Sequence, residues 1–268
     1  MKMGMNLEAS LAKIDRAEKH LQELESELQK LQDVAPFEVS IGEMNADRVV
    51  PVTVSLREFG FAPISMIAGD FIQNLRASLD YVVAAAAEVT PGVNVMRYHQ
   101  FPICSTPTKF NQEVANEENR AKERKALHGL PSSFVEVVRS VQPFGSDVCY
   151  SLEPIRDISN TDKHRLLLAS SAILRGDAAI EVVPLEAVEE IRLAESLVPP
   201  LPGIPTEILT VKVREGFTGI DNVAVGSFGE AVILSPPFDG NAGMILPLPQ
   251  MANMVTEVRQ LLRKFAAV

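Results

Sequence analysis

Residues 151–168 read SLEPIRDISNTDKHRLLL and divide a mainly helical half of the chain from a β-rich half. Drawn as a helix, the stretch has an apolar stripe made of Leu152, Ile155, Ile158 and Leu166. Asp162 falls within that stripe and Arg165 at its edge, three residues on, so the two side chains can pair along the helix. We interpret the pair as a structural salt bridge. The alternatives are a ligand site that uses Asp162, His164 or Arg165, and a loop to which the helical wheel does not apply.

Apolar residues at three-and-four spacing predict the main helices. Residues 6–33 carry a leucine seam flanked by Glu and Lys, which suits either a helix within a bundle or a coiled-coil homodimer through this N-terminal helix. Residues 63–89 form the clearest helix, with Pro63 in its first turn. Residues 247–265 close the chain as an amphipathic helix.

Alternating residues predict strands elsewhere. A hairpin is expected at 37–57, and two further hairpins are expected where residues 166–174 meet 178–183 and where 223–228 meet 230–234. The fold class is therefore α+β, a bundle of N-terminal, central and C-terminal helices with an inserted, mostly antiparallel sheet.

The predicted domains follow from these elements. Residues 1–165 form a mainly helical bundle with the β-hairpin at 37–57, and residues 166–240 form a β-rich insertion. Residues 247–268 form a C-terminal helix that returns to the bundle.

Composition excludes several classes of function. The 268 residues carry a net charge of −10 with a pI near 5.0, which argues against binding to duplex DNA. No apolar run is long enough to span a membrane, and the N-terminus lacks the apolar core of a signal peptide, so we expect a cytoplasmic protein. Two cysteines without a CxxC pattern and four scattered histidines predict no metal site. The absence of glycine-rich phosphate loops predicts no nucleotide cofactor.

The polar face of the 63–89 helix supplies the other candidate site residues. Asp70 and Asn74 are candidate ligand-binding residues, together with Asp162, Lys163 and Arg165 from the first stretch. Arg76 and Asp80 stand four residues apart and can form an ion pair.

Four short blocks carry a resemblance to other proteins. They are NLRxxLD from Asn74, FPI from Phe101, QPF from Gln142 and NxDKHR from Asn160. The chain resembles a group of uncharacterised bacterial and phage proteins that share these blocks, over about residues 65–168. The group implies no activity that can be transferred.

A more distant likeness is to HEPN domains, helical bundles of toxin–antitoxin and defence ribonucleases that carry an Arg followed four to six residues later by His. Arg76 lies in such a helix, but the sixth position of the motif, five residues after Arg76, holds Tyr81 and not His, and a phenol suits general acid–base work poorly. The resemblance implies a degenerate site, or one completed by His164 from a neighbouring helix. Arg76, Tyr81 and His164 are thus the candidate catalytic residues.

The residues alone leave three functions open, and whether the protein is an enzyme is one of the open points. We favour a non-enzymatic scaffold or binding module with a structural Asp–Arg cluster. The alternative from the HEPN likeness is an RNA-binding protein or ribonuclease of a bacterial or phage defence system. A third hypothesis is a pocket for a small anionic metabolite held by Arg76, Lys163 and Arg165.

Overall fold

The structure is a computed structural model that describes residues 5–33, 37–56, 62–114, 126–162, 173–174, 180–194, 204–225, 228–229, 231–233 and 245–266. Helices lie at the N-terminus, the centre and the C-terminus, and the strands pair antiparallel, which confirms the predicted α+β class. The helices are α1 (Glu8–Asp33), α2 (Ala62–Val89), α3 (Pro107–Val114), α4 (Ser132–Ser140), α5 (Leu152–Asp162) and α6 (Leu248–Phe265). The longer strands are β1 (Phe37–Ile41), β2 (Val49–Leu56), β4 (Ile180–Val183), β5 (Val188–Leu193), β6 (Thr206–Val213) and β7 (Asn222–Val225). The shorter strands are β3 (Ile173–Leu174), β8 (Phe228–Gly229), β9 (Ala231–Ile233) and β10 (Ile245–Pro247).

The chain divides into two compact units. Unit 1 comprises Met1–Leu24, Met66–Leu167 and Pro249–Val268, and unit 2 comprises Glu25–Ser65 and Leu168–Leu248. Unit 1 is helical and contains α3, α4 and α5. Unit 2 contains the strands, including β1 and β2.

Most residues of the predicted helical stripes are buried. In α1 the buried seam consists of Ile14, Ala17, Leu21, Leu24 and Leu28. In α2 the stripe predicted from the spacing is at most 3% exposed throughout: Ile64, Phe71, Leu75, Leu79, Val82 and Ala86. Leu11 of the same seam is 37% exposed, and a homodimer through this helix stays a prediction. No helix in the described part of the chain is long and apolar enough to cross a membrane.

Unit 2 has a four-stranded sheet in the order β1-β2-β6-β5. The predicted hairpin at 37–57 is confirmed by the antiparallel pairing of β1 with β2. Side chains alternate between the two faces of a strand, and one face of β2 and β6 carries the buried row Val50, Val52, Val54, Leu209, Val211 and Val213. The valine-rich alternation of β2 therefore supplies much of the core of this unit.

The two other predicted hairpins are wrong in their pairing. β3 pairs with β8 and β4 pairs with β7, whereas β9 pairs with β10. Strands do form beside both predicted turns, but turn residues and alternation report only local backbone preference. The partner of each strand is decided by the apolar side chains that it buries, such as Val182 and Val223 in one shared cluster.

The core of unit 1 contains a buried segment without regular secondary structure, residues 101–104. Phe101 is fully buried and makes an edge-on contact with Phe265 of α6, with ring centroids 6.2 Å apart. The side chain of Gln142, also fully buried, supports the same segment. Its Nε2 donates to the carbonyl oxygens of Pro102 and Val138, both at 3.0 Å, and its Oε1 accepts from the Cys104 N–H at 2.8 Å. The FPI and QPF blocks therefore form one packed unit.

Replacing Gln142 with Leu should destabilise the protein. The change leaves the Cys104 N–H and the Pro102 carbonyl buried without their partner, and each such loss costs about 1–3 kcal/mol. We expect the free energy of unfolding in urea to fall by about 3 kcal/mol. The exposed Gln260→Leu in α6 is the control and should change it by less than about 0.5 kcal/mol. Equal effects of the two variants would show that Gln142 does not anchor the segment.

Candidate functional site

Arg76 and Asp80 of α2 hold the backbone of Phe101 from both sides. Asp80 Oδ1 accepts the Phe101 N–H at 2.8 Å, and Arg76 Nη2 donates to the Phe101 carbonyl at 2.8 Å. The two side chains also form the predicted ion pair, with Arg76 Nη2 and Asp80 Oδ1 3.0 Å apart. The NLRxxLD block thus positions the FPI segment, which pairs with no strand in the described part of the chain.

A cavity of about 450 Å³ lies against this segment in unit 1. Phe101 to Ser105 form one part of its lining, α3 contributes Lys109, Gln112 and Glu113, and α2 contributes Arg76. Helix α5 contributes three residues on one face: Arg156, Ser159 and Asn160. Among the described residues the lining carries three cationic side chains and one carboxylate, although the whole chain is acidic.

Packing against α4 positions helix α3. Phe110 is buried and makes an angled contact with Phe144, with ring centroids 5.9 Å apart. The guanidinium of Arg139 lies over both rings and donates to Asn111 Oδ1 at 2.7 Å. With Phe110 fixed in this way, Lys109 and Glu113 are presented to the cavity.

The first turn of α5 is held by a carboxylate from α6. Glu257 Oε2 accepts the Ser151 N–H at 2.9 Å and the Ser151 hydroxyl at 2.8 Å, next to the first residue of the helix. Negative charge near a helix N-terminus is favourable because the N–H groups there lack helical partners. Farther along, Gln73 of α2 donates to the carbonyl of Ser159 at 3.3 Å. These contacts fix the helix that carries Arg156.

Arg156 is fixed by several acceptors. It donates to Ser105 Oγ at 2.8 Å and to Asp157 Oδ1 at 2.7 Å, and it lies 3.7 Å from Glu153 Oε1. The hydrogen bond with Asp157 is the main cause that raises the pKa of Arg156, against a smaller lowering by burial. In contrast, the ammonium group of Lys109 has no bonded acceptor within the described ranges.

The thiol of Cys104 lies in the cavity wall and is held protonated. Burial raises its pKa most, the Glu113 carboxylate raises it further, and the nearby Arg156 and Lys109 lower it in part. Because the nucleophile is the thiolate rather than the thiol, Cys104 is poorly suited to attack a substrate. Among the described residues, no group of three or more His, Cys, Asp and Glu side chains is arranged to hold a metal ion.

The predicted site residues do not all lie at the cavity. Arg76 lines the cavity, but Tyr81 is 42% exposed and has Lys13 of α1 over its ring, 5.8 Å from the centroid. Asn74 donates to the carbonyl of the exposed Asp70 and accepts from Lys13, and neither Asp70 nor Asn74 is among the described residues that line the cavity. His164, Lys163 and Arg165 lie outside the described residues, as does the side chain of Asp162. The Asp162–Arg165 pair and the Arg76–Tyr81–His164 site therefore stay predictions.

No match to a known protein adds to this description. No protein-family model matches the chain, and neither a curated protein nor a solved structure matches it. The site is accordingly interpreted from its own residues.

Sequence reasoning missed Lys109, Glu113 and Arg156. Arg156 lies within residues 151–168, where the sequence did indicate a polar helix face. Ser159 and Asn160 follow Arg156 at the three-and-four spacing of one face. For Lys109 and Glu113 the sequence offers no comparable signal, since the four-residue spacing on α3 is common to many exposed helices.

A buried thiol outside the cavity predicts a pH-dependent loss of stability. Burial, followed by the charge of Glu257, raises the pKa of Cys149 to about 12. The unfolded thiol ionises near its ordinary pKa of about 8.5, so above that pH the unfolded state is favoured increasingly until the folded pKa is reached. From pH 8 to pH 11 we expect the free energy of unfolding of the native protein to fall relative to that of Cys149→Ala, by about 1.4 kcal/mol per pH unit in the upper part of the range.

Urea unfolding of both proteins at several pH values measures this difference directly. Other groups that titrate in alkali cancel in the comparison, and the difference should be constant between pH 6 and pH 8. A difference that stayed constant up to pH 11 would contradict the burial of a neutral thiol at this position.

Proposed function

We propose that the protein is a non-enzymatic binding module whose cavity in unit 1 takes a small anionic ligand. The observation that carries the proposal is the lining of this cavity, where, among the described residues, Arg76, Lys109 and Arg156 accompany one carboxylate, that of Glu113. The volume of about 450 Å³ suits a small molecule, since ligand pockets commonly measure about 300–1,000 Å³. A cytoplasmic location belongs to the same proposal.

The donors around the cavity suit carboxylate or phosphate oxygens. A guanidinium offers five N–H donors, and Arg76 and Arg156 each use only some of them on their protein partners. The carboxylates that hold both arginines neutralise part of their charge, whereas the ammonium group of Lys109 has no bonded acceptor within the described ranges. Hydrogen bonds between charged groups are about twice as strong as neutral ones.

The chemistry of the lining favours binding over catalysis. The thiol of Cys104 is protonated at neutral pH because burial and Glu113 raise its pKa. Arg76 and Arg156 are held by Asp80 and Asp157 and stay charged, so they can orient an anion but cannot exchange protons with it.

A second candidate function, RNA binding or RNA cleavage of the HEPN type, is favoured by one observation. Arg76, the arginine that the resemblance selects, lines the cavity, and an RNA phosphate is also an anion. The position of Tyr81 against Lys13 does not add to this candidate.

Calorimetric titration and thermal shift with inorganic phosphate, citrate and AMP test the proposal, with a labelled single-stranded RNA as the macromolecular probe. At least one small anion should bind and raise the melting temperature. Lys109→Ala and Arg156→Ala should each weaken that binding about tenfold, because a lost charge-assisted hydrogen bond costs about 1.5–3 kcal/mol. Lys19→Ala and Arg263→Ala, which remove exposed cations outside the cavity lining, should leave the affinity unchanged.

The outcomes separate the two functions. Failure of every small anion to bind, or equal losses in the cavity and control variants, would contradict the binding module. Cleavage of the RNA that is lost in Arg76→Ala and kept in Lys19→Ala would favour the ribonuclease instead.

A further inference from the structure

The strand β5 is an edge of the four-stranded sheet in unit 2, and its side chains are exposed. Of its six residues only Val188 is half-buried, whereas Ile191 is 37% and Leu193 is 47% exposed. An exposed edge strand presents unpaired N–H and C=O groups on which another strand can pair.

The apolar row of the sheet stops at this edge. Val50 of β2, Val211 of β6 and Ile191 of β5 are register partners and therefore share one face. Val50 and Val211 are at most 1% exposed, while Ile191 is 37% exposed. The row would be continued by one more strand with an apolar residue opposite Ile191.

The backbone of β5 is oriented for such a strand. The Ala194 N–H donates to the Ile208 carbonyl at 2.9 Å. Because hydrogen-bonded and non-bonded pairs alternate in an antiparallel ladder, the N–H and C=O groups of Leu193 and Ile191 point away from β6. Ile191 can thus both donate and accept at the edge.

The opposite face of the strand carries charges of both signs. Glu190 and Arg192 flank Ile191 and form an ion pair, with Arg192 Nη2 and Glu190 Oε2 2.8 Å apart. Charges of one sign on this edge would repel a second copy, whereas the opposite charges at positions 190 and 192 can pair with those of an antiparallel second copy.

We propose that a second copy of this chain pairs through β5, antiparallel and about a two-fold axis at Ile191. Ile191 faces Ile191 of the second copy and exchanges two hydrogen bonds with it. Glu190 then lies opposite Arg192 of the second copy, and Arg192 opposite its Glu190, in the pairs whose side chains approach most closely. The β-bulge between Val188 and Glu190 shortens the ladder, so the dimer is weak and forms at micromolar or higher concentration.

Sedimentation velocity of the full chain, from low micromolar to near-millimolar concentration, measures the dimer. R192E places like charges opposite each other at both pairs and should raise the dissociation constant at least about tenfold. The double variant E190R/R192E restores opposite charges and should return the constant to within about threefold of the native value. I191P should also weaken the dimer, because it removes the N–H that would bond to the second copy. That N–H does not bond to β6, so the hydrogen bonds between β5 and β6 are kept.

R263E, a charge reversal on the exposed side of α6, is the matched control, and circular dichroism verifies that each variant is folded. A monomer at every concentration would overturn the proposal. So would a dimer that R192E and the control affect equally, or one that the double variant fails to rescue. The charge variants decide the matter even if I191P does not fold.

Discussion

The fold of unit 1 depends on hydrogen bonds from side chains to one buried irregular segment. Residues 101–104 are buried but lie in neither a helix nor a sheet, and buried backbone groups must find partners somewhere. Asp80 and Arg76 supply them for Phe101, and Gln142 supplies them for Pro102 and Cys104. The same segment is a wall of the candidate cavity, so the contacts that stabilise the core also shape the site.

Whether a feature of the fold can be predicted from the sequence depends on how far apart in the sequence its interacting residues lie. The stripe of α2 and the alternation of β2 are local patterns, and both predict the buried residues correctly. The Arg76–Asp80 pair is also local and was predicted. Its use as a clamp was not, because Phe101 lies more than twenty residues away in the sequence. For the same reason the alternation of β4 predicts a strand but not its pairing with β7.

The position of the cavity could not be derived from motifs, because its cations come from three helices that meet only in the folded chain. Arg76 lies on α2, Lys109 on α3 and Arg156 on α5. Two of the three are held by carboxylates beside them. Burying part of a charged group is costly unless it is paired, so the partners of Arg76 and Arg156 explain how an acidic protein keeps positive side chains together around one cavity.

The double role of Arg76 links the site to stability. Its guanidinium donates to the Phe101 carbonyl and also lines the cavity, so it is already ordered before any ligand arrives. A pre-organised donor loses little conformational freedom on binding, and more of the interaction energy remains as affinity. An anion bound at this wall would also favour the folded state over the unfolded state. The free energy of unfolding of unit 1 should therefore rise when the anion binds, because the anion would contact the same buried segment, residues 101–104, that Arg76 and Asp80 hold in place.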